Sequence, residues 1–204
     1  MSTRAQTPAR GTKGKAPHRR DEDARLAVLH AADDLLAERG FGGVTVEGIA
    51  ARAGVAKQTI YRWWPSKVDV LFDTLLEDAE GQLAVPDRGT AVQNTRAYVR
   101  KLARFMTKDP AGRVLLALMG EAQHDGKTGD LFRQQWVVPQ RERERELLRR
   151  GVDSGELSPE IDIDFVLDAL CGPVYMRALF DQPISRRFVD ELVDANLGPH
   201  LRSR

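Results

Sequence analysis

The stretch from Thr45 to Lys67 constrains the fold more than any other part of the chain, because it predicts two short helices joined by a tight turn. Thr45 carries a hydroxyl that can accept a backbone N–H bond at a helix start. Gly54 can adopt the left-handed backbone that commonly follows a helix end. Between them, apolar residues recur at i, i+3, i+4 and i+7, which predicts one buried face of a helix: Val46, Ile49, Ala50 and Ala53.

A second short helix is predicted from about Lys57 to Trp63 or Trp64. Ile60 and Trp64 share its inner face, and its outer face carries polar side chains: Lys57, Gln58, Tyr61 and Arg62. Pro65 forbids continuation, and the residues at 66–69 read as a capping box that starts a third helix. Two short helices around a glycine turn are the layout of a helix-turn-helix, whose second helix enters the major groove of DNA.

The same stretch resembles the tetracycline-repressor (TetR) family of bacterial regulators. The residues that carry the resemblance are Val46, Ile49, Ala50, Ala53, Gly54, Val55, Thr59, Ile60, Tyr61, Trp64, Pro65, Ser66, Lys67 and Leu71. Three positions depart from the family pattern. Ala56 stands where a capping Ser or Thr is common, and Gln58 and Trp63 replace residues that are more often small or His. These departures bear on which bases would be read.

Composition supports an all-α fold with one nucleic-acid-facing end. The chain has 204 residues, is 42% hydrophobic and is poor in aromatic residues. Residues 1–67 hold 12 Lys and Arg against 7 Asp and Glu, whereas the rest holds 19 against 23. Cys171 is the single cysteine, which fits a reducing compartment. Without an apolar run long enough to span a membrane, the protein is expected in the cytoplasm.

Three regions and about nine helices are predicted. Residues 1–20 form a basic arm, expected to be disordered, that either follows DNA or serves as a solubilising tail. Residues 21–67 form the helix-turn-helix domain, and 68–204 form a regulatory and dimerisation domain that the fourth helix links to DNA. Its later helices are predicted at about 90–108, 111–124, 130–150, 162–180 and 185–197. A loop is expected at 125–129, and the charged run at 141–150 is expected on a solvated face.

The residues expected to contact DNA lie on and beside the second helix. Tyr61 and Lys67 would hold phosphates, with Thr45 and Arg52 as weaker candidates. The base readers would be Lys57, Gln58 and Arg62, since Gln pairs well with adenine and Arg with guanine. Two more positions complete the expected interface: Thr59 and Trp63. Ile60, Trp64 and Phe41 are expected to build the small core instead.

A pocket for an effector is predicted between the later helices. Met and aromatic side chains suit a site that accepts irregular apolar shapes, and Tyr175 could orient a ligand through its hydroxyl. The candidates are Phe105, Met106, Met119, Phe132, Trp136, Tyr175 and Met176. The alternative is that most of them are ordinary core.

The resemblance extends weakly into the second half, through residues 155–157, Asp162 and 172–177. It implies that the last two helices pair with their copies from a second subunit as a four-helix dimer interface. The candidates are Val174, Leu179, Phe188, Val189, Leu192 and Val193.

The sequence gives little support to catalysis. It holds no Gly-rich phosphate loop after a strand and no His pair or Cys/His cluster with metal-ligand spacing, so no cofactor or metal is expected. Cys171 is expected to be an inert core residue. The predicted function is a ligand-responsive DNA-binding transcriptional regulator: a homodimeric repressor, released from a palindromic double-stranded operator by a small apolar effector. The alternative is a helical ligand-binding or adaptor protein whose helix-turn-helix no longer binds DNA.

Overall fold

A computed structural model describes residues 17–84 and 88–202 of the chain. The predicted all-α fold is confirmed: these residues form ten α-helices, with one isolated antiparallel bridge between Leu157 and Leu201. The helices are α1 (Pro17–Gly43), α2 (Val46–Ala53), α3 (Lys57–Trp63), α4 (Lys67–Leu83), α5 (Ala91–Lys108), α6 (Pro110–Glu121), α7 (Gly126–Phe132), α8 (Val138–Asp153), α9 (Ile163–Leu179) and α10 (Arg186–Leu197). A π-helical segment, Arg133–Val137, joins α7 to α8, and a 3-10 turn, Gly198–His200, follows α10.

The first three helices pack as a small head around an apolar core. Its fully buried side chains are Val28, Val44, Ile49 and Ile60. Helix α1 is interrupted at Gly40, whose φ of 65° and ψ of 175° are not helical. The helix starts at Pro17, so the last residues assigned to the basic arm are helical. The rest of the arm, at 1–16, lies outside the described residues.

The two short helices form as the sequence predicts. The Thr45 hydroxyl accepts the Gly48 N–H at 3.0 Å, and Gly54 ends α2 with a φ of 68°. Helix α3 begins at Lys57, and Ala56 before it provides no side-chain cap, as the missing hydroxyl implies. Trp64 follows the end of α3 rather than belonging to it. Its ring is buried, and its Nε1 donates to Asp73 on α4 at 2.8 Å.

Helix α4 connects the head to the rest of the molecule. Ser66 caps it by accepting the N–H groups of Val68 and Asp69. In a capping box, the Asp69 side chain would accept the backbone N–H of Ser66. Here it accepts the Ser66 hydroxyl instead, at 2.6 Å. Helix α4 packs against α1, α5 and α6, and α1 also packs directly against α6. The head is therefore held through two helices of the larger domain rather than through α4 alone.

Helix α5 is the centre of the larger domain, since α4, α6, α8, α9 and α10 all pack against it. Thr90 starts it with a complete capping box, in which Gln93 supplies the reciprocal bond. Its inward residues Val99, Leu102 and Phe105 are almost completely buried. Among the described residues, no helix is long and apolar enough to cross a bilayer.

Residues 126–153 form one nearly continuous helical run, which corresponds to a single predicted helix. The loop expected at 125–129 is wrong, because Asp125 caps α7 and helical structure starts at Gly126. The π-helical turn, not a simple kink, precedes Pro139. Proline has no N–H to donate back along the helix, so a wider turn there leaves less backbone unsatisfied.

The C-terminal helix α10 packs against α5 and α9. Val189 and Val193 fill this contact and are almost fully buried, as is Val174 on α9. These three residues cannot form the surface of a dimer interface, so that part of the prediction is wrong. Much of the apolar surface of the last two helices is therefore buried within the subunit.

Candidate DNA-reading head and regulatory cavity

The outer face of α3 presents polar side chains to solvent. Lys57, Gln58, Tyr61 and Arg62 are all exposed, and half of the Tyr61 surface is accessible. Within the described residues, the side chains of Gln58 and Tyr61 make no hydrogen bond. Their donors and acceptors are therefore available to a partner without breaking an internal contact.

Three cations beside this face are already paired within the subunit. Lys57 Nζ lies 2.7 Å from Glu47 Oε1, and this bond lowers the pKa of the Glu47 carboxyl. The Arg52 guanidinium donates two hydrogen bonds to the Glu38 carboxylate, at 2.7 and 2.6 Å, in a bidentate fork. The fork makes Arg52 the least available of the predicted phosphate contacts. Arg62 is held more loosely.

Arg62 rests over the Trp63 ring, with its Cζ 5.0 Å from the ring centroid and its Nη2 3.5 Å from Asp21. Trp63 is half-buried and packs edge-to-face with Trp64, with ring centroids 5.3 Å apart, so only part of its surface is available to DNA. The guanidinium is therefore held by the ring of Trp63 and by one long contact with Asp21. Such a contact keeps it ordered while leaving donors free.

The remaining predicted DNA residues have structural duties. The Thr45 hydroxyl is occupied by its capping bond, and Thr59 is half-buried. Lys67 Nζ donates to the Phe41 carbonyl at 2.9 Å and lies 4.2 Å from the centroid of its ring. Lys67 thus ties the end of α1 to the start of α4, a role that sequence reasoning missed.

A cavity of about 390 Å³ opens between the walls of α6, the π-helical segment, α8 and α9. Its lining residues are Met119, Phe132, Trp136, Val137, Gln140, Arg141, Glu144, Asp168, Cys171, Gly172 and Tyr175. This volume is in the range of small-molecule sites.

The predicted pocket residues divide between the wall, the core behind it and the outside. Met119, Phe132, Trp136 and Tyr175 line the cavity. Phe105 stacks behind Trp136 with ring centroids 6.2 Å apart, and Met106 is also buried core. Met176 does not belong to the cavity, because it is 60% exposed. It follows Tyr175 on α9 and therefore points about 100° away around the helix.

Glu144 is the residue of this cavity that sequence reasoning missed. It lies within the charged run expected on a solvated face, yet it is only 4% exposed. The Tyr98 hydroxyl donates to Glu144 Oε1, and Gln140 Nε2 donates to Tyr98 Oη at 2.8 Å. Gln140, Glu144 and Leu148 follow one another at intervals of four residues, so all three lie on one buried stripe of α8.

The polar end of the cavity carries perturbed groups. Burial raises the pKa of Glu144, and burial likewise raises the pKa of the Cys171 thiol well above its usual value. Cys171 Sγ is 3.6 Å from Glu144 Oε1. The thiol is therefore protonated and a poor nucleophile, in agreement with an inert role, although it also lines the cavity.

Comparisons with known proteins match both halves of this arrangement. Residues 28–74 match the family model for bacterial regulatory proteins of the tetR family, and residues 85–196 match the Tetracyclin repressor-like C-terminal domain. The chain belongs to the TetR family. A relative from Bacillus subtilis (strain 168), the uncharacterised HTH-type transcriptional regulator YdeS, is 40% identical over 85% of this chain and 88% of its own.

Two further relatives support the assignment of this TetR-family protein. The DNA-binding transcriptional repressor TetR of Mycobacteroides abscessus is 26% identical over 86% of this chain and 92% of its own. The crystal structure of the TetR family transcription regulator SCO0332 is 36% identical with a TM-score of 0.70, covering 84% of this chain and 95% of that one. The protein is a DNA-binding transcriptional regulator, and nothing in these relatives favours an adaptor that has lost DNA binding.

Proposed function

We propose that this TetR-family protein is a repressor that leaves its operator when a small molecule enters the cavity. The observation that carries the proposal is that the DNA-reading face and the cavity are separate surfaces connected through α6. Gln58, Tyr61 and Arg62 face outward on α3, while the cavity lies in the larger domain. Helix α6 carries Met119 at the cavity and packs against α1 and α4 of the head. The repressor named in Mycobacteroides abscessus supports the negative sign of regulation.

Base reading is assigned to Gln58 and Arg62, with phosphate contact from Tyr61. Gln58 is exposed and uncommitted within the described residues, so it can pair with adenine at no internal cost. To reach a guanine, Arg62 has to leave a 3.5 Å contact with Asp21 and its position over the Trp63 ring. Lys57 is a weaker reader, because DNA has to compete with its bond to Glu47. Since operators lie on the chromosome, the protein works in the cytoplasm.

The active unit is proposed to be a homodimer that joins through the outer face of α9 together with α10. Large apolar side chains are left uncovered along α9 and just beyond it: Phe165, Met176, Leu179 and Phe180, all more than half exposed. A stripe of this kind is typical of an interface. Leu179, Phe188 and Leu192 remain candidates from the predicted set, since Leu179 is exposed and the other two are only half-buried.

Selection of bound fragments from randomly sheared genomic DNA, followed by sequencing, tests the proposal. A two-fold dimer should enrich sites with dyad symmetry, whose half-sites lie about 10 base pairs apart or a multiple of that. Arg62→Ala should weaken the enriched site by about 1–3 kcal/mol and relax preference at one base pair in each half-site. Gln58→Ala should relax a different position.

Arg149→Ala is the matched control, because Arg149 is an exposed arginine on α8, outside both the head and the proposed dimer surface. It should leave both affinity and preference unchanged. An absence of enriched sites would favour the adaptor alternative. Enriched sites without dyad symmetry would contradict the dimer while leaving DNA binding intact.

A further inference from the structure

The cavity ends at a buried carboxylate with one uncommitted oxygen. Glu144 Oε1 accepts the Tyr98 hydroxyl, and the Cys171 thiol also faces it. Within the described part of the chain, no hydrogen bond reaches Glu144 Oε2. The nearest cationic atom to it is Arg141 Nη1, at 3.8 Å, which is too far for a hydrogen bond. Glu144 is only 4% exposed and lines the cavity, so Oε2 is an acceptor that a ligand in the cavity can reach.

Arg141 does not neutralise this end of the cavity. Its Nη2 is hydrogen-bonded to Asp168 Oδ1, and its Nη1 is buried without a hydrogen-bond partner among the described residues. Among the residues that the structure describes, Arg141 is the one basic side chain in the lining, where it faces two carboxylates, Glu144 and Asp168. The lining therefore carries a net negative charge whenever both acids are ionised. An acidic ligand would have to draw Arg141 from Asp168 and then lie beside Glu144.

The walls beside Glu144 favour an apolar body that ends in a cation. Trp136, Phe132 and Tyr175 contribute aromatic rings, and Met119 adds a flexible thioether. Aromatic faces attract cations through their quadrupole, most strongly where water is excluded. Trp136 is only 4% exposed and is backed by Phe105, so its ring is fixed in place.

We infer that the cavity binds a cationic amphiphile, an organic amine with an apolar or aromatic body, whose ammonium group donates to Glu144 Oε2. This inference rests on the proposed function, because it names the chemical class of the effector. It replaces a purely apolar effector by one that carries a single positive charge at its end. The ammonium would donate the hydrogen bond that Glu144 Oε2 lacks, and its positive charge would balance the negative charge of the lining.

Three probes that share one body and differ at one end test the inference on the full chain: 4-phenylbutylamine, 4-phenylbutan-1-ol and 4-phenylbutanoic acid. Their dissociation constants are measured by isothermal titration calorimetry at pH 7.5. The amine should bind at least about tenfold more tightly than the acid, a difference of about 1.4 kcal/mol, with the alcohol between them. An acid that binds best would overturn the inference and assign recognition to Arg141 instead.

The variant Glu144→Gln removes the charge while keeping the shape and an acceptor for Tyr98. It should reduce the preference for amine over acid to within about threefold, while the alcohol binds as it does to the natural protein. Retained alcohol binding shows that the variant is folded. Glu142→Gln is the matched control, because Glu142 lies one half-turn away on α8, exposed and paired with Arg145 and Arg149. It should leave the preference intact, and an equal loss in both variants would contradict a specific role for Glu144.

The outcomes separate this inference from the proposed function. Probes that bind with equal affinity would overturn the charge assignment and leave the cavity as a ligand site. Failure of every probe to bind would overturn the cationic-amphiphile inference, while the selection of operator fragments still tests the proposed function. An amine that binds in the expected way, yet leaves the operator complex unchanged, would confirm the ligand class and contradict release by that ligand.

Discussion

Glu144 shows how a single side chain can serve a site at the expense of stability. Its carboxyl group is removed from water by α8, α9 and the side chain of Tyr98, and burial raises its pKa from the ordinary 4.5. The hydrogen bond from Tyr98 and the charge of Arg141 act in the opposite direction but do not cancel the effect of burial. Cost of this kind is typical of groups kept for binding rather than for folding.

The pH dependence of stability follows from that raised pKa. Between the ordinary pKa and the raised one, the folded chain holds a proton on Glu144 that the unfolded chain has released. The free energy of unfolding therefore falls as pH rises through this window. Tyr98, Tyr175 and Cys171, which surround the carboxyl, stay neutral in this window, because their ordinary pKa values already lie above it and burial raises the pKa of each further. Chemical denaturation of natural protein and Glu144→Gln from about pH 4 to about pH 8 should show the variant gaining stability relative to the natural protein.

Glu142→Gln should show the opposite sign. Hydrogen bonds from Arg149 and Arg145 lower the pKa of Glu142, so its contribution is present above the ordinary pKa and is lost as pH falls. The natural protein should therefore gain slightly on this variant as pH rises. Its effect is small, since both partners are exposed to solvent. Identical trends in the two variants would contradict the assignment of the raised pKa to Glu144.

At the residue scale, the sequence predicted which side chains of α3 are exposed. It did not predict which side chains are already bonded to another part of the chain. The period of α3 places Gln58, Tyr61 and Arg62 outward because Ile60 has to face the core. No local pattern reveals that Lys67 is bonded to Phe41, because that contact depends on the angle between α1 and α4. Glu144 was missed for a related reason: alternating charges look solvated until a buried tyrosine on another helix supplies a partner.

At the element scale, helices with strong terminal signals were predicted well. Helices α2, α5, α9 and α10 each begin after a side chain that caps the first turn, and these bounds agree with the sequence. Helix α7 was misplaced because two glycines near its start resemble a loop, whereas the Asp125 cap decides the outcome. The π-helical turn depends on Pro139 and the packing around it, which sequence period alone cannot show.

Packing between α5 and α6 depends on Gly112. A Cβ atom at this position would lie 2.2 Å from the Phe105 carbonyl oxygen and 2.9 Å from Met106 Cα, so the two helices would have to separate. Gly112→Ala should therefore lower the free energy of unfolding by about 1–3 kcal/mol or more. Gly120→Ala, near the other end of α6, meets nothing within 4 Å and should be neutral or raise stability by up to about 1 kcal/mol. Urea denaturation of both variants checks this, and equal effects would contradict the close approach.

At the scale of the whole molecule, composition and resemblance predicted a DNA-binding head and a separate regulatory domain. They did not predict which surface joins two subunits. Burial of Val189 and Val193 in the subunit depends on how α10 lies on α5, where Arg96 and Arg100 form ion pairs with Asp190 and Asp194. A helical period shows that a face is apolar but not which helix will cover it. Exposed Phe165 and Leu179 become visible as an interface only once the fold has covered the rest.

Coupling between ligand binding in the cavity and operator binding by the head depends on contacts across the whole molecule. Helix α6 touches the cavity at Met119 and packs against both α1 and α4, so a ligand that shifts α6 alters the placement of the head. A ligand can move this equilibrium only through its different affinities for the two states, and coupling is typically about 1–3 kcal/mol. Operator DNA should therefore weaken binding of a cavity ligand about 5–150-fold, by the same factor by which the ligand weakens operator binding. Titration of the ligand with and without the enriched operator measures one side of this equality, and titration of operator with and without ligand measures the other. A compound that binds in the cavity with equal affinity in both cases is not an effector, and unequal factors would show that its site of action lies elsewhere.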